Sequence, residues 1–128
     1  AAQCGYDVVM CPQTRACYLD HKHNDDPEEP GHLGVCTLKD SYLFEPVSER
    51  LSDEEKHHIL GGQANLWTEL IYFGRQAEYM LFPRLCALSE VFWSPREMRN
   101  FEDFSRRLRL HEHRLDTLDV SYYKGRFF

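Results

Sequence analysis

Two short stretches share one pattern. In Asn65-Leu66-Trp67-Thr68-Glu69 and in Cys17-Tyr18-Leu19-Asp20, an aromatic residue stands two positions ahead of a carboxylate. Residues two apart on an extended chain point to the same side. Each stretch therefore offers one ring and one acceptor to the same hollow. A sugar suits that combination, because its C–H faces pack on an aromatic plate while its hydroxyls donate to carboxylates at the rim. The spacing alone leaves a second assignment open, in which Tyr18 and Trp67 are core aromatics and Asp20 and Glu69 are helix caps or surface charges.

The elements that must position these groups are legible in outline. Tyr6 to Met10 (YDVVM) reads as a short buried strand, closed by Cys11-Pro12. Ala1 to Cys4 read as the tail of a helix capped by Gly5. His21 to His32 is a charged, proline-containing loop. Ser52-Asp53-Glu54-Glu55 has the spacing of a capping box and predicts a short helix through about His58. Ile59 to Trp67 reads as a second strand, with Gly61 and Gly62 allowing a bend or a close backbone approach.

Gln76 to Trp93 carries apolar residues at helical spacing, and Pro83 inside it implies a kink or a helix start. Ser94-Pro95-Arg96-Glu97 repeats the start signal. Beyond it Phe101, Phe104, Leu108, His111, Leu115 and Leu118 mark one stripe of an amphipathic terminal helix, with Arg106, Arg107 and Arg109 mostly outside it. Strands alternating with helices predict a parallel α/β arrangement. Both ring-and-carboxylate pairs then fall at C-terminal strand ends, where barrel enzymes project their ligand groups. Two strands do not close a sheet, so something is missing or shared.

The chain has 128 residues, enough for about one domain, and its 42% hydrophobic content supports a core. A net charge of −6 argues against a nucleic-acid or anionic-membrane partner, since neutralising phosphates takes a basic face. No apolar run approaches the roughly 18 residues of a spanning helix, and no basic-then-apolar segment opens the chain. The five cysteines, Cys4, Cys11, Cys17, Cys36 and Cys86, lack regular spacing and read as reduced thiols, with one Cys11–Cys17 disulfide left open.

Taken together, GGQANLWTE (61–69), Glu78 to Leu85 (EYMLFPRL) and Ala87 to Pro95 (ALSEVFWSP) resemble the last strand and helix of a β-N-acetylhexosaminidase catalytic barrel of glycoside hydrolase family 20. Val8 to Pro12, Tyr18-Leu19-Asp20 and Tyr42 to Pro46 (YLFEP) resemble the same family, in the right order, so the likeness runs over essentially the whole chain. It implies an α/β fold: residues 1–128 as the C-terminal portion of a (β/α)8 TIM barrel, with the last two strand/helix units and the terminal helix.

By that resemblance Trp67 forms part of the aromatic wall under a terminal N-acetylhexosamine. Glu69 accepts from ring hydroxyls, and Asp20 holds another, the exocyclic one. Tyr18 donates its phenol to the carbonyl oxygen of the 2-acetamido group, which serves as the nucleophile in this family's substrate-assisted retaining reaction. The partner implied is a glycan ending in N-acetylhexosamine; no cofactor and no metal are implied.

The departure from the family is an adjacent Asp-Glu pair, its steering and general acid/base residues. The one such pair in this order, Asp53-Glu54, falls behind the capping Ser52 and reads as structural. The isolated chain is therefore expected to be inactive, and to self-associate through surfaces built to meet absent neighbours. Two rival readings stand beside this one. The first is a small non-catalytic carbohydrate-binding module. The second is a metal protein, suggested by His21-x-His23, His57-His58 and His111-x-His113, none of which pairs with a Cys at zinc spacing.

Overall fold

The computed structural model describes residues 1–13 and 16–125. Strand β1 (Val8–Met10) lies parallel to β4 (Ile59–Gly62), with Val8 opposite Ile59 and Met10 opposite Gly62. Beyond β4 the chain stays extended as far as Asn65, which bridges Tyr18 in parallel. A second parallel pair joins β2 (His21–Lys22) to β3 (His32–Val35). The helices are α1 (Leu38–Tyr42), α2 (Asp53–Lys56), α3 (Gly74–Leu81), α4 (Arg84–Trp93) and α5 (Phe101–Thr117). None of them is long and apolar enough to cross a membrane.

Helix α4 is the hub, because it is apolar on two faces. On one, Leu88 packs with Ala16, Cys17 and Leu19 of the segment leading into β2, and with the half-buried Leu66. On the other, Ala87 and Val91 pack with Leu38 and Tyr42 of α1 and with Phe104 and Leu108 of α5. The phenol of Tyr42 donates to Glu90 at 2.8 Å, and Arg107 of α5 pairs with the same carboxylate at 2.7 Å. The α5 stripe is thus buried at Phe104, Leu108 and Leu115, but Leu118 lies beyond it and is exposed.

The local start and stop signals act largely as their chemistry dictates. Ala2–Cys4 is a single 3-10 turn stopped by Gly5 in the left-handed region. Ser52 and Glu55 exchange both capping bonds at the start of α2, with Asp53 and Glu54 in its first turn. The long apolar run breaks at the cis Phe82–Pro83 bond: Phe82 is held extended ahead of the proline, α3 ends and α4 begins. Ser94-Pro95 opens only a 3-10 turn over Arg96–Met98. The long terminal helix instead starts at Asn100, whose side chain accepts from the Asp103 amide at 2.9 Å.

Several expectations are corrected. The first strand is shorter than Tyr6–Met10 and is not buried: Val9 is 52% exposed, because β1 pairs with β4 alone among the described residues. The second strand ends at Gly62 and touches a partner again only at Asn65. The acidic loop is bounded by paired strands, since the His32 amide donates to the Asp20 carbonyl at 2.7 Å. As the irregular spacing predicts, all five cysteines are free thiols, and the Cys11–Cys17 disulfide left open is not formed.

Gly62 meets the requirement for close approach. A Cβ there would fall 2.3 Å from the ring of Phe92, so the strand sits directly on α4. Gly62→Ala is expected to destabilise the protein by about 2 kcal/mol through overpacking, read as a lower urea midpoint at unchanged m-value. An unchanged midpoint would show that the ring moves aside freely.

Candidate sugar-binding wall

The two ring-and-carboxylate pairs meet. The segment Cys17–Asp20 does not trail off behind β1 but returns alongside the extension of β4. The Leu19 amide donates to Asn65 O at 2.8 Å, and the Asn65 amide to Cys17 O at 2.7 Å. This parallel bridge brings Tyr18 beside Asn65, two residues ahead of Trp67. Leu19, fully buried, and Leu66 turn into the core, which anchors both segments.

Asp20, Trp67 and Glu69 line one notch together with Gly31, His32, Leu70 and Ile71. Trp67 is 52% exposed and Glu69 is exposed, so neither is a core residue nor a helix cap. Asp20 is 7% exposed, and its Oδ1 has no hydrogen-bond partner. A buried carboxylate oxygen without a donor is costly, and this one waits at the wall of the notch. Tyr18 is half-buried, with its ring edge-on to His21 at 5.9 Å; it does not line the notch itself.

The notch holds only about 10 Å³. Sites that enclose a small organic ligand run to several hundred cubic ångströms, so these residues form one wall rather than a closed pocket. A much larger hollow of about 680 Å³ lies elsewhere, against Ile59, Leu60 and Gly61 at the start of β4. Four of its charged groups pair with one another, Arg99 with Glu45 and Arg96 with Glu49. In barrel enzymes that end of a strand serves stability and the opposite end serves chemistry. The smaller notch is the functional candidate.

Residues to which the sequence patterns gave no part in this site support the wall. Gly31, at φ +132°, passes so close to the Asp20 carbonyl that a Cβ would sit 2.8 Å from it. That approach lets His32 pair with the Asp20 backbone and face the notch. His21 packs flat on Gly34, whose Cβ would fall 2.4 Å from the ring. Burial lowers the His21 imidazole below its usual range, with Asp20 opposing the shift. Arg84 is fully buried and donates to the carbonyls of Leu19 at 2.6 Å and of His21 and Cys36 at 2.8 Å, and also to Met80. It thereby ties the segment that carries Asp20, and β2 after it, to the base of α4.

The family model described as "Glycosyl hydrolase family 20, catalytic domain" matches residues 1–96. The chain is 36% identical over 124 residues to a beta-hexosaminidase of Porphyromonas gingivalis, covering 96% of this chain and 16% of that protein. It is 36% identical over 115 residues to a beta-N-acetylhexosaminidase of Cellulomonas fimi, covering 87% of this chain and 22% of the relative.

Among solved structures it superposes, at a TM-score of 0.89 and 36% identity, on a GH20 exo beta-N-acetylglucosaminidase of Vibrio harveyi in complex with N-acetylglucosamine. That match covers 96% of this chain and 20% of the other. A Streptomyces plicatus beta-hexosaminidase in complex with its product GlcNAc matches at 0.85 and 26% identity, over 97% of this chain and 25% of that one. The chain thus spans about a fifth of the length of the proteins it matches.

Proposed function

This chain belongs to the glycosyl hydrolase family 20 catalytic domain, and from that premise we propose that it supplies the wall holding the terminal sugar in a β-N-acetylhexosaminidase. Its fold is a piece of that family's (β/α)8 barrel. The whole protein removes terminal N-acetylhexosamine from the non-reducing end of a glycan. One observation carries the reading: Asp20, Trp67 and Glu69, from two adjacent parallel segments, converge on one notch beyond the strand ends.

In this reading the Trp67 indole lies under the sugar ring. Glu69 and the unpartnered Asp20 oxygen accept from its hydroxyls. Tyr18 donates to the acetamido carbonyl oxygen as that oxygen attacks C1 and the bond to the leaving oxygen breaks. Charge spreads over the closing ring, so a fixed donor there both orients and stabilises. The proton for the leaving oxygen comes from an acid outside this chain. Asp53 and Glu54 are committed to the N-terminus of α2, where Asp53 pairs with Lys56 at 2.7 Å.

The 128-residue chain alone is therefore inactive. It is also expected to self-associate, through the unpaired edges of β1 and β4 and the exposed Tyr6, Val9 and Leu60. A free-standing carbohydrate-binding module is the weaker reading, because a notch of about 10 Å³ encloses no sugar by itself.

The test is made in the intact protein with an aryl N-acetylglucosaminide. Trp67→Ala is expected to raise KM about tenfold, the loss of roughly 1.4 kcal/mol of stacking, with a smaller change in kcat. Because Trp67 is half exposed, the fold should survive the change. An unchanged KM, or turnover by the 128-residue chain alone, would contradict the assignment.

A further inference from the structure

The residues around the notch form a second constellation. His21 and His32 are register partners in the β2–β3 pair, and their rings are stacked, with centroids 6.0 Å apart and planes 19° from parallel. Asp20 precedes His21 in the chain. One donor atom from each of Asp20, His21 and His32 lies within 4.8 Å of the other two. We propose that Asp20, His21 and His32 bind a divalent transition metal ion of the zinc or copper class.

Two imidazoles and one carboxylate are a donor set these ions prefer, and three protein ligands leave a fourth position for water. The Oδ1 atom of Asp20 is buried with no hydrogen-bond partner, so the site already contains an acceptor that no protein donor satisfies. Donor atoms around a tetrahedral zinc stand about 3.3 Å apart, so the trio must tighten. The needed movement falls to His32, which is exposed, while His21 is seated on the Gly34 backbone. Sequence spacing hides this set because His32 lies eleven residues beyond His21, across the acidic loop.

If Asp20 also holds a sugar hydroxyl, as proposed above, metal and sugar exclude one another. Occupation by zinc would then act as a reversible block on the sugar wall.

The intact protein, stripped of metal with a chelator, is titrated with cobalt(II) and then with zinc chloride. One cobalt per chain is expected, with visible d–d absorption of a four-coordinate nitrogen and oxygen site, displaced by zinc. His32→Ala, a change at an exposed side chain, should weaken zinc binding by about tenfold or more. The proposal is overturned by the absence of stoichiometric binding, by binding that His32→Ala leaves unchanged, or by a thiolate-to-cobalt charge-transfer band that puts the metal on a cysteine. Repeating the titration with N-acetylglucosamine separates the two readings. Zinc affinity that depends on His32 but ignores the sugar keeps the metal site and removes Asp20 from sugar binding.

Discussion

Replacing Arg84 with methionine is expected to destabilise the protein by about 3–5 kcal/mol and to loosen the segment that carries Asp20. The guanidinium has no solvent contact, and its hydrogen-bond partners are four main-chain carbonyls, those of Leu19, His21, Cys36 and Met80. Burial pulls its pKa down to about 10, which still leaves it charged at neutral pH. The charge is stabilised by carbonyl dipoles drawn from three separate segments. Methionine fills much of the volume and avoids the cost of burying a charge, which offsets part of the loss. It leaves four acceptors without a donor, and each such orphan costs about 1–3 kcal/mol.

Arg84→Lys keeps the charge but not the planar fork, so its loss should be intermediate. Urea unfolding measures the stability of both variants. In whichever variant stays folded, KM for the aryl glycoside should rise, because Asp20 is no longer held at the notch. A lysine variant with wild-type stability and wild-type KM would show that the carbonyl cage is not what fixes the segment.

Arg84 also marks where sequence reading ended. Its partners lie 48 to 65 residues away, apart from Met80, and three of those bonds go to backbone atoms that carry no residue-specific signature. The same holds for His32, which reaches the notch only because Gly31 lets two backbones cross closely. What was legible rests on local chemistry. The Ser52–Glu55 capping box, the Gly5 stop and the break at Pro83 all depend on neighbours within four residues.

Trp67 and Glu69 stand out in the sequence because a ring and a carboxylate two residues apart form a local pattern as well. Helix α1 carries no clear start signal in the sequence, although Thr37 and Asp40 form a reciprocal box at its start. Its third position holds Asp rather than the Glu or Gln the signature calls for. The terminal helix was given too early a start for the converse reason. Ser94-Pro95 looks like a cap, but the stronger acceptor is Asn100, and the residues between them form one tight turn.

The same burial that shapes this core should make the protein labile in mild alkali. Burial raises the Cys17 thiol to about 12, with Cys11 and Cys36 adding to the shift. It raises Cys86 to about 11, and raises Cys36 as well, against the opposing pull of Arg84. In the unfolded chain each thiol ionises near pH 8.5. Between that value and the folded pKa the native state holds a proton that the unfolded state has released. Stability therefore falls as pH rises, by about 1.4 kcal/mol per pH unit for each thiol.

Cys17 and Cys86, whose folded values lie above 10, together give a loss of about 2–3 kcal/mol between pH 9 and pH 10, a sizeable part of a typical domain's stability, and Cys36 adds in the same direction. The lowered pKa of Arg84 works in the other direction but only above about 10, and Tyr42, raised to about 12, joins the thiols only above the ordinary tyrosine range near 10. The window from pH 9 to pH 10 therefore isolates the cysteines. Urea midpoints under reducing conditions should drop across it, and Cys17→Ala should start from a lower baseline but fall with about half of the slope. Midpoints that stay level from pH 8.5 to 10 would mean the buried thiols gain solvent well before the chain unfolds, and that the layer between α4 and the Cys17–Asp20 segment is looser than its packing implies.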